Sequence, residues 1–288
     1  MDPRQHRHAA SSGLREGILI LALLVLPGFS FGTELRGEAS VAVAPWIATL
    51  TPAPLPPFPP VGPFEATYRF GWEGVGAGGA TVRVEQRNGG RYAIFAEGGP
   101  NEWVRKLWNY HAVYWGEAGI NGETPCWFRM EEEVAKGTFL SEAWCDGGRV
   151  VNCHRFTTES KPWNVTEVKG IRDLLAAMLF VRSQPLRDRD RVILTVFPDQ
   201  GPYLVELAVA GHDTLKILGK KTRAVRFTVR IQRIETRDGV AVALKPHRKF
   251  HSGRIWMSED ARRLPLRAEV DVFIGSVFAE VSAITPPL

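Results

Sequence analysis

From residue 64 onward the chain alternates apolar and polar positions. The clearest run is Val225 to Gln232, where Val225, Phe227, Val229 and Ile231 fall on one face and Arg226, Thr228, Arg230 and Gln232 on the other. Successive strand side chains point to opposite faces. One dry face and one wet face is the pattern of an antiparallel strand with a solvated side. Similar runs predict strands at 64–72, 80–86, 92–97, 111–115, 126–134, 139–145 and 149–157. A second set is predicted at 191–197, 203–210, 222–235, 254–258, 264–273 and 276–283. Gly, Asn, Asp or Lys-Gly turns bound them.

One segment breaks the period. Ile171, Leu174, Leu175, Met178 and Leu179 recur at helical spacing. Asp173 sits in the first turn and Arg182 in the last, as the helix dipole favours, and Pro185 stops the helix. Ala176, Ala177, Phe180 and Val181 make it apolar nearly all round, which predicts burial. Many strands and one buried helix predict a mainly β fold: a curved antiparallel sheet or open barrel wrapped around that helix.

The N-terminus reads as an address. Arg4, Arg7 and Arg15 precede an apolar run, Gly17 to Leu26, and the small residues Ser30 and Gly32 follow. That is a secretory signal peptide over 1–32, cleaved near Gly32, and its apolar run is too short to cross a bilayer comfortably. Eight prolines between Pro45 and Pro63 then predict a semi-rigid linker over 33–63. The β-rich domain is expected at 64–285, in the periplasm or outside the cell.

Composition adds bounds. Apolar residues are 44% and charged residues 23%, which excludes wholesale disorder. A net charge of +5 is too mild to imply nucleic acid. Several motifs match only on paper. Gly28-Phe-Ser-Phe-Gly32 has the spacing of an esterase nucleophile elbow but lies in the signal peptide. Gly74 to Gly79 has dinucleotide-loop spacing, but a strand follows where a helix is needed, so a flexible hairpin turn is expected. Gly219-Lys-Lys-Thr222 precedes a strand and is read as a turn. His247 and His251 would be roughly 13 Å apart on a strand, too far to share an ion. No metal and no cofactor is predicted.

Three cysteines remain in the exported chain. A tight turn at Ala135-Lys136-Gly137 places Cys126 nearly opposite Cys145, within disulfide reach, and export permits oxidation. Cys145 with Cys153 is the alternative pairing.

Two surfaces are candidates for binding. The aromatic cluster Trp103, Trp108, Tyr110, Tyr114 and Trp115, with Trp127 and Trp144 on the next hairpin, belongs either to the core or to an apolar or sugar-binding cleft. A basic stretch from Lys216 to Arg254, diluted little by Glu235 and Asp238, is either a solvated face or a contact for anionic envelope groups. Glu131, Glu132 and Glu133 form a carboxylate run whose positions are expected to be mostly exposed.

The C-terminal half resembles the exported bacterial domain-of-unknown-function family numbered 3108. The stretches that carry the likeness are Asp173 to Arg182, Pro202-Tyr-Leu-Val-Glu206, Leu218-Gly-Lys-Lys-Thr222, and Ile255 to Asp260 running into Leu264-Pro-Leu-Arg267. The resemblance implies a periplasmic, β-rich protein and supplies no catalytic residues. In the last stretch Ser258 and Asp260 are suited to bonding a turn's free amides. A ligand role for Ser258, Asp260 and Arg267 is the alternative.

These readings converge on a non-catalytic envelope protein that binds an apolar or anionic ligand in an elongated, aromatic-lined cavity. The partners would be a lipid, a glycan or an envelope protein, with peripheral contact to an anionic membrane and no nucleic acid. The alternatives are a structural module with a packed interior and an envelope hydrolase with acid, base and nucleophile in reach.

Overall fold

The computed structural model describes residues 45–52, 61–119, 126–146, 148–199, 201–247, 252–272 and 275–285. The expected signal peptide, residues 33–44 and 53–60 of the expected linker, and His251 lie outside them.

The first half is a meander of β1 (Phe64–Trp72), β2 (Val75–Gln86), β3 (Arg91–Pro100), β4 (Tyr110–Gly119), β5 (Cys126–Val134), β6 (Gly137–Asp146), β7 (Arg149–Phe156) and β8 (Asn164–Glu167). Each strand pairs antiparallel with the next. One helical turn, α1 (Glu102–Arg105), joins β3 to β4. The chain then passes through β9 (Ile171–Asp173) into helix α2 (Leu174–Ser183). The second half is β10 (Arg191–Phe197), β11 (Tyr203–Ile217), β12 (Lys220–Arg237), β13 (Val240–Pro246), β14 (Ser252–Ser258), β15 (Pro265–Asp271) and β16 (Ser276–Thr285).

The sheet closes into a ring of 13 strands and is neither an open barrel nor merely curved. β13 and β14 lie end to end on one edge of β12, because Gln232 and Arg233 pair with β13 as well as with β11 on the other edge. β16 pairs with β1, and β13 bridges β8 at Val240 and Glu167. That bridge is parallel. A ring with an odd number of strands needs one parallel contact, since alternating directions close only on an even count. The sequence expectation missed the closure because β8 and β13 are short and carry no strong alternation. β9, β10 and β11 extend from β12 outside the ring.

Curling so long a sheet needs local kinks. Bulges fall at Thr67/Tyr68, Phe70/Gly71, Val209/Gly211, Glu235/Thr236 and Trp256/Met257. Each bends its strand and increases the twist. Gly78 permits a close approach: a Cβ there would lie 2.3 Å from the Gly99 carbonyl oxygen and 2.5 Å from the Phe70 ring. The glycine-rich turn is shorter than expected. Only Glu73 and Gly74, with φ of 48° and 79°, make it, and Gly76, Gly78 and Gly79 belong to β2. Positive φ at both central residues is the hairpin-turn geometry that matches strand twist.

α2 begins later than the apolar period suggested, because Ile171 to Asp173 pair with β10 as a short strand. Asp173 is the N-cap and accepts the amides of Leu175 at 2.8 Å and Ala176 at 3.0 Å. Gln184, extended before Pro185, ends it. Leu175, Ala176 and Leu179 join a cluster with Tyr114, Phe128 and Met130 of the first half. Leu174, Ala177, Phe180 and Val181 join another with β10, β11, β12 and β14. The helix therefore has apolar neighbours on both sides, as its all-round apolar character requires.

The folded part does not start at Phe64. Residues 45–52 lie against β10, with the Thr51 amide on the Ile193 carbonyl and the Ile193 amide on the Thr51 hydroxyl, both at 2.8 Å. Trp46 and Leu50 pack on the core beside them. The first part of the proline-rich stretch is thus a strap on the barrel rather than a free spacer.

Candidate functional site

The alternation that builds the second half leaves space on its inner face. Val229 and Ile231 of β12, Val205 and Leu207 of β11, Leu194 and Val196 of β10, and Ile255 and Met257 of β14 form one wall of a cavity of about 180 Å³. Leu174, Ala177, Met178 and Val181 of α2 form the facing wall. Ala268 and Ala279, a cross-strand pair, border it where larger side chains would fill it. An engineered apolar cavity of about 150 Å³ stays dry and takes up benzene, so a volume of this size accepts a small apolar group. The polar groups at its border are few: Tyr203 and His247, with ring centroids 5.7 Å apart, Tyr68 and Arg267. The Tyr68 hydroxyl donates to the Pro265 carbonyl at 3.0 Å. Burial holds His247 below its usual pKa, helped by Arg233, and so favours the neutral ring.

The N-terminus of α2 is a buried polar node. The Tyr114 hydroxyl donates to Asp173 at 2.7 Å. Burial raises the Asp173 carboxyl above its ordinary value, and the helix amides, Tyr114 and the Cys126 thiol counter that rise. At the other end Arg182 is fully buried. It donates to the carbonyls of Arg262 at 2.7 Å and Arg263 at 3.2 Å, and its guanidinium stacks over Phe64. Burial lowers it to about 10, so it stays charged at neutral pH. Arg263 donates in return to the Arg182 carbonyl at 3.0 Å.

Those carbonyls belong to the turn predicted from the Trp-x-Ser-x-Asp segment. Ser258 accepts the Leu264 amide at 2.8 Å and contacts Asp260 at 2.6 Å, and Asp260 accepts the Arg262 amide. Ser258 and Asp260 therefore shape the turn that receives Arg182. Arg267 borders the cavity, with its guanidinium engaged by Glu269 and Glu280.

The aromatic candidates do not gather around this cavity. Trp108 and Tyr110 stack at 4.7 Å in another cluster, with Phe70 and Val104, that meets the cavity through Ala268 and Ala279. Tyr114 serves Asp173, Trp115 meets Phe95 edge-on at 6.1 Å on the outside, and Trp103 is exposed. The walls are aliphatic instead. The legible signal was the small and flexible set Ala177, Met178, Ala268 and Ala279, which alternation alone does not single out.

Cys126 and Cys145 are directly opposed in register, as expected, and both are buried free thiols. Cys153 is opposite Glu142 and Cys145 opposite Val150, so the alternative pairing lacks the register. Glu132 departs from the exposed expectation: it points inward, fully buried, and accepts the Tyr110 hydroxyl at 2.7 Å. Burial raises its carboxyl. Glu131 pairs with Arg129, and Glu133 is exposed.

Part of the basic stretch is neutralised in place: Arg223 by Glu259, Arg226 by Asp213, Lys245 by Glu235 and Arg254 by Glu269. A Ser–His contact exists, Ser141 to His154 Nδ1 at 2.6 Å, but Ser141 is buried, its partner stacks on Phe139, and the cavity does not reach either. Among the described residues no group of three His, Cys, Asp or Glu side chains is placed to hold a metal ion.

Three solved structures of low sequence identity align with most of this chain. A β-barrel-like protein of the unknown-function family DUF1849 from Brucella abortus is 11% identical, with 78% of this chain and 97% of that chain covered and a TM-score of 0.48. A protein from Bacteroides fragilis, described as exported with a YmcC-like fold, is 9% identical over 79% and 98%, with a TM-score of 0.30. A protein from Parabacteroides distasonis, described as a lipoprotein, is 6% identical over 79% and 97%, with a TM-score of 0.32. No curated protein matches the chain. The family model described as protein of unknown function (DUF3108) matches residues 64–282, from β1 into β16, and the chain belongs to that family.

Proposed function

We propose that this is a non-catalytic envelope protein that takes a single apolar chain, of the kind lipids carry, into the cavity beside α2. It is exported, processed near Gly32, and works in the periplasm or outside the cell, as its basic and apolar N-terminus indicates. The sheet wraps the helix, and the helix serves as one wall of the binding site. The observation that carries this reading is the cavity itself: aliphatic on facing walls, with Tyr203 and His247 at its border where a polar head group would sit. A small number of polar groups around an apolar site is the usual make-up of a ligand cavity.

The test is a series of saturated fatty acids of increasing length, titrated against the purified protein by calorimetry. Each methylene drawn from water is worth about 0.8 kcal/mol, so affinity should rise about fourfold per carbon until the cavity is full and then level off. Ala177→Leu, which fills the cavity from the helix side, should weaken binding at least about tenfold with the fold intact. Binding that does not saturate, or equal affinity in Ala177→Leu, would overturn the reading in favour of a structural module.

A further inference from the structure

We propose that α1 and the neighbouring β1–β2 hairpin tip dock one end of the barrel on an anionic lipid surface. Asn101 fixes α1 in place: its side chain accepts the Val104 amide at 3.2 Å and donates to the Gly76 carbonyl at 3.2 Å, and its own amide donates to Ala77 at 2.9 Å. This clamps the segment to the first residues of β2. The inner face, Val104 and Trp108, is buried. The outer face is apolar and open: Trp103 is 55% exposed and Leu107 80%. On the adjoining hairpin Trp72 and Val75, a cross-strand pair, are 43% and 57% exposed.

Single exposed apolar residues need no explanation, but several on one protrusion mark an interaction site. The charges identify the partner. Arg105 and Lys106 stand exposed between Trp103 and Leu107, and among the described residues no carboxylate pairs with either. Glu102 is exposed nearby, and Glu73 turns its carboxylate, still charged, toward the Ser276 amide of the adjoining strand. Indole and aliphatic side chains interleaved with exposed basic groups at one end of the barrel suit the headgroup region of a bilayer, where the rings lie at the interface and the cations meet anionic lipid. A second basic tip, at Lys220 and Lys221 on the β11–β12 hairpin, has only Leu218 as an exposed large apolar residue.

The site also has a direction. Val104 and Trp108 share their cluster with Ala268 and Ala279, which border the cavity. Docking through α1 would therefore set that end of the cavity toward the membrane. The inference rests on exposure and charge and does not require the cavity to hold a lipid.

The experiment is co-sedimentation of the protein purified after export with vesicles of phosphatidylcholine alone or with added phosphatidylglycerol. Every variant is prepared in the same way, so any contribution of the N-terminus is shared. Binding is expected with phosphatidylglycerol and at most weakly without it. One cation near an anionic surface is worth about fivefold in affinity, so Arg105→Gln with Lys106→Gln should weaken binding about thirtyfold. Trp103→Ser with Leu107→Ser should lower it by at least about tenfold. Fatty-acid affinity should not change in either variant, since neither touches the cavity, and this separates a failure here from a failure of the cavity reading. Lys220→Glu with Lys221→Glu should leave vesicle binding within about twofold. No binding to phosphatidylglycerol vesicles, or loss through Lys220 and Lys221 with none through Trp103 and Leu107, would overturn the proposal.

Discussion

Oxidising Cys126 and Cys145 to a disulfide should stabilise the barrel by about 2 kcal/mol. The two residues face one another across β5 and β6. Opposed antiparallel residues have Cα atoms about 4.5–5.5 Å apart, inside the range of about 4.4–6.8 Å that a disulfide spans. The bridge would close a loop of roughly 20 residues, which removes chain entropy worth about 3 kcal/mol from the unfolded state. Against this stands one loss. The Cys126 thiol lies close enough to Asp173 to favour its charged form, and the disulfide has no proton to offer it. A contact of that kind is worth about 1 kcal/mol. The thiols give up two protons and two electrons, which a disulfide-bearing oxidant takes by exchange. Both cysteines are buried in the finished barrel, so exchange is expected while the β5–β6 hairpin is still open. For a domain of this size a difference of about 2 kcal/mol moves Tm by about 4–8 °C. Protein exported under oxidising conditions should melt higher by that amount than the same protein reduced in denaturant and refolded. Alkylation in denaturant should find Cys153 as the one reactive thiol. Labelling of all three cysteines, or identical melts with and without reductant, would refute the reasoning.

Three further outcomes follow from the polar groups around the helix and the sheet. His154 is held down to about 4 by burial against an unfolded value of 6.5, so between those two pH values the unfolded chain takes up a proton that the folded chain refuses. Stability should therefore fall as pH drops from 6.5 toward 4 and flatten below, and urea titrations of His154→Gln should show a shallower slope in that window. Asp173→Ala removes the cap of α2 and leaves the buried Tyr114 hydroxyl without its acceptor. A loss of about 3 kcal/mol in urea unfolding is expected, with Asp173→Asn nearer to wild type because it keeps an acceptor oxygen. Arg182→Met should cost about 3 kcal/mol in the same assay, since it strips donors from the buried Arg262 and Arg263 carbonyls, and Arg182→Lys should recover only part of that because it lacks the planar fork.

The strands were legible because their alternation is strong. β1, β5 and β10 begin and end where the pattern places them, and the β5–β6 turn gives the cysteine register directly. Glycine misled locally: Gly76 to Gly79 read as turn because glycine has no face to reveal, yet the sheet needs it there to curl past Phe70 and Gly99. β8 and β9 were missed since three or four residues hold too little period to register, and β13 because its first five residues, Val240 to Leu244, are all apolar and show no alternation. That gap hid the topology, because closure runs through Val240 and Glu167 of two of those strands. Burial of the helix was legible from its composition. Its polar ends were half legible: Asp173 and Arg182 were placed at the correct ends for dipole reasons, but their main partners are Tyr114 and the Asp260–Arg263 turn, long-range contacts that no local pattern contains.

The cavity is the point at which the binding and structural readings part on energetic grounds. If fully enclosed and empty, a void of 180 Å³ would cost about 4 kcal/mol at the rate measured for engineered cavities. That is a large share of the 5–15 kcal/mol, roughly, by which domains are stable. Filling it is chemically simple, because Ala177, Ala268 and Ala279 all border the space and each has room to grow. A protein whose task is only to hold a shape gains from such growth at no expense. A protein that must admit a ligand loses its function by it. The Ala177→Leu variant separates the two, because one substitution should raise the melting temperature of the empty protein while abolishing the further rise that fatty acid gives the wild type. A structural module would show the first effect and have no second effect to lose. Retained space between a helix with apolar neighbours on both sides and a sheet that could have closed on it is therefore the physical reason to favour binding.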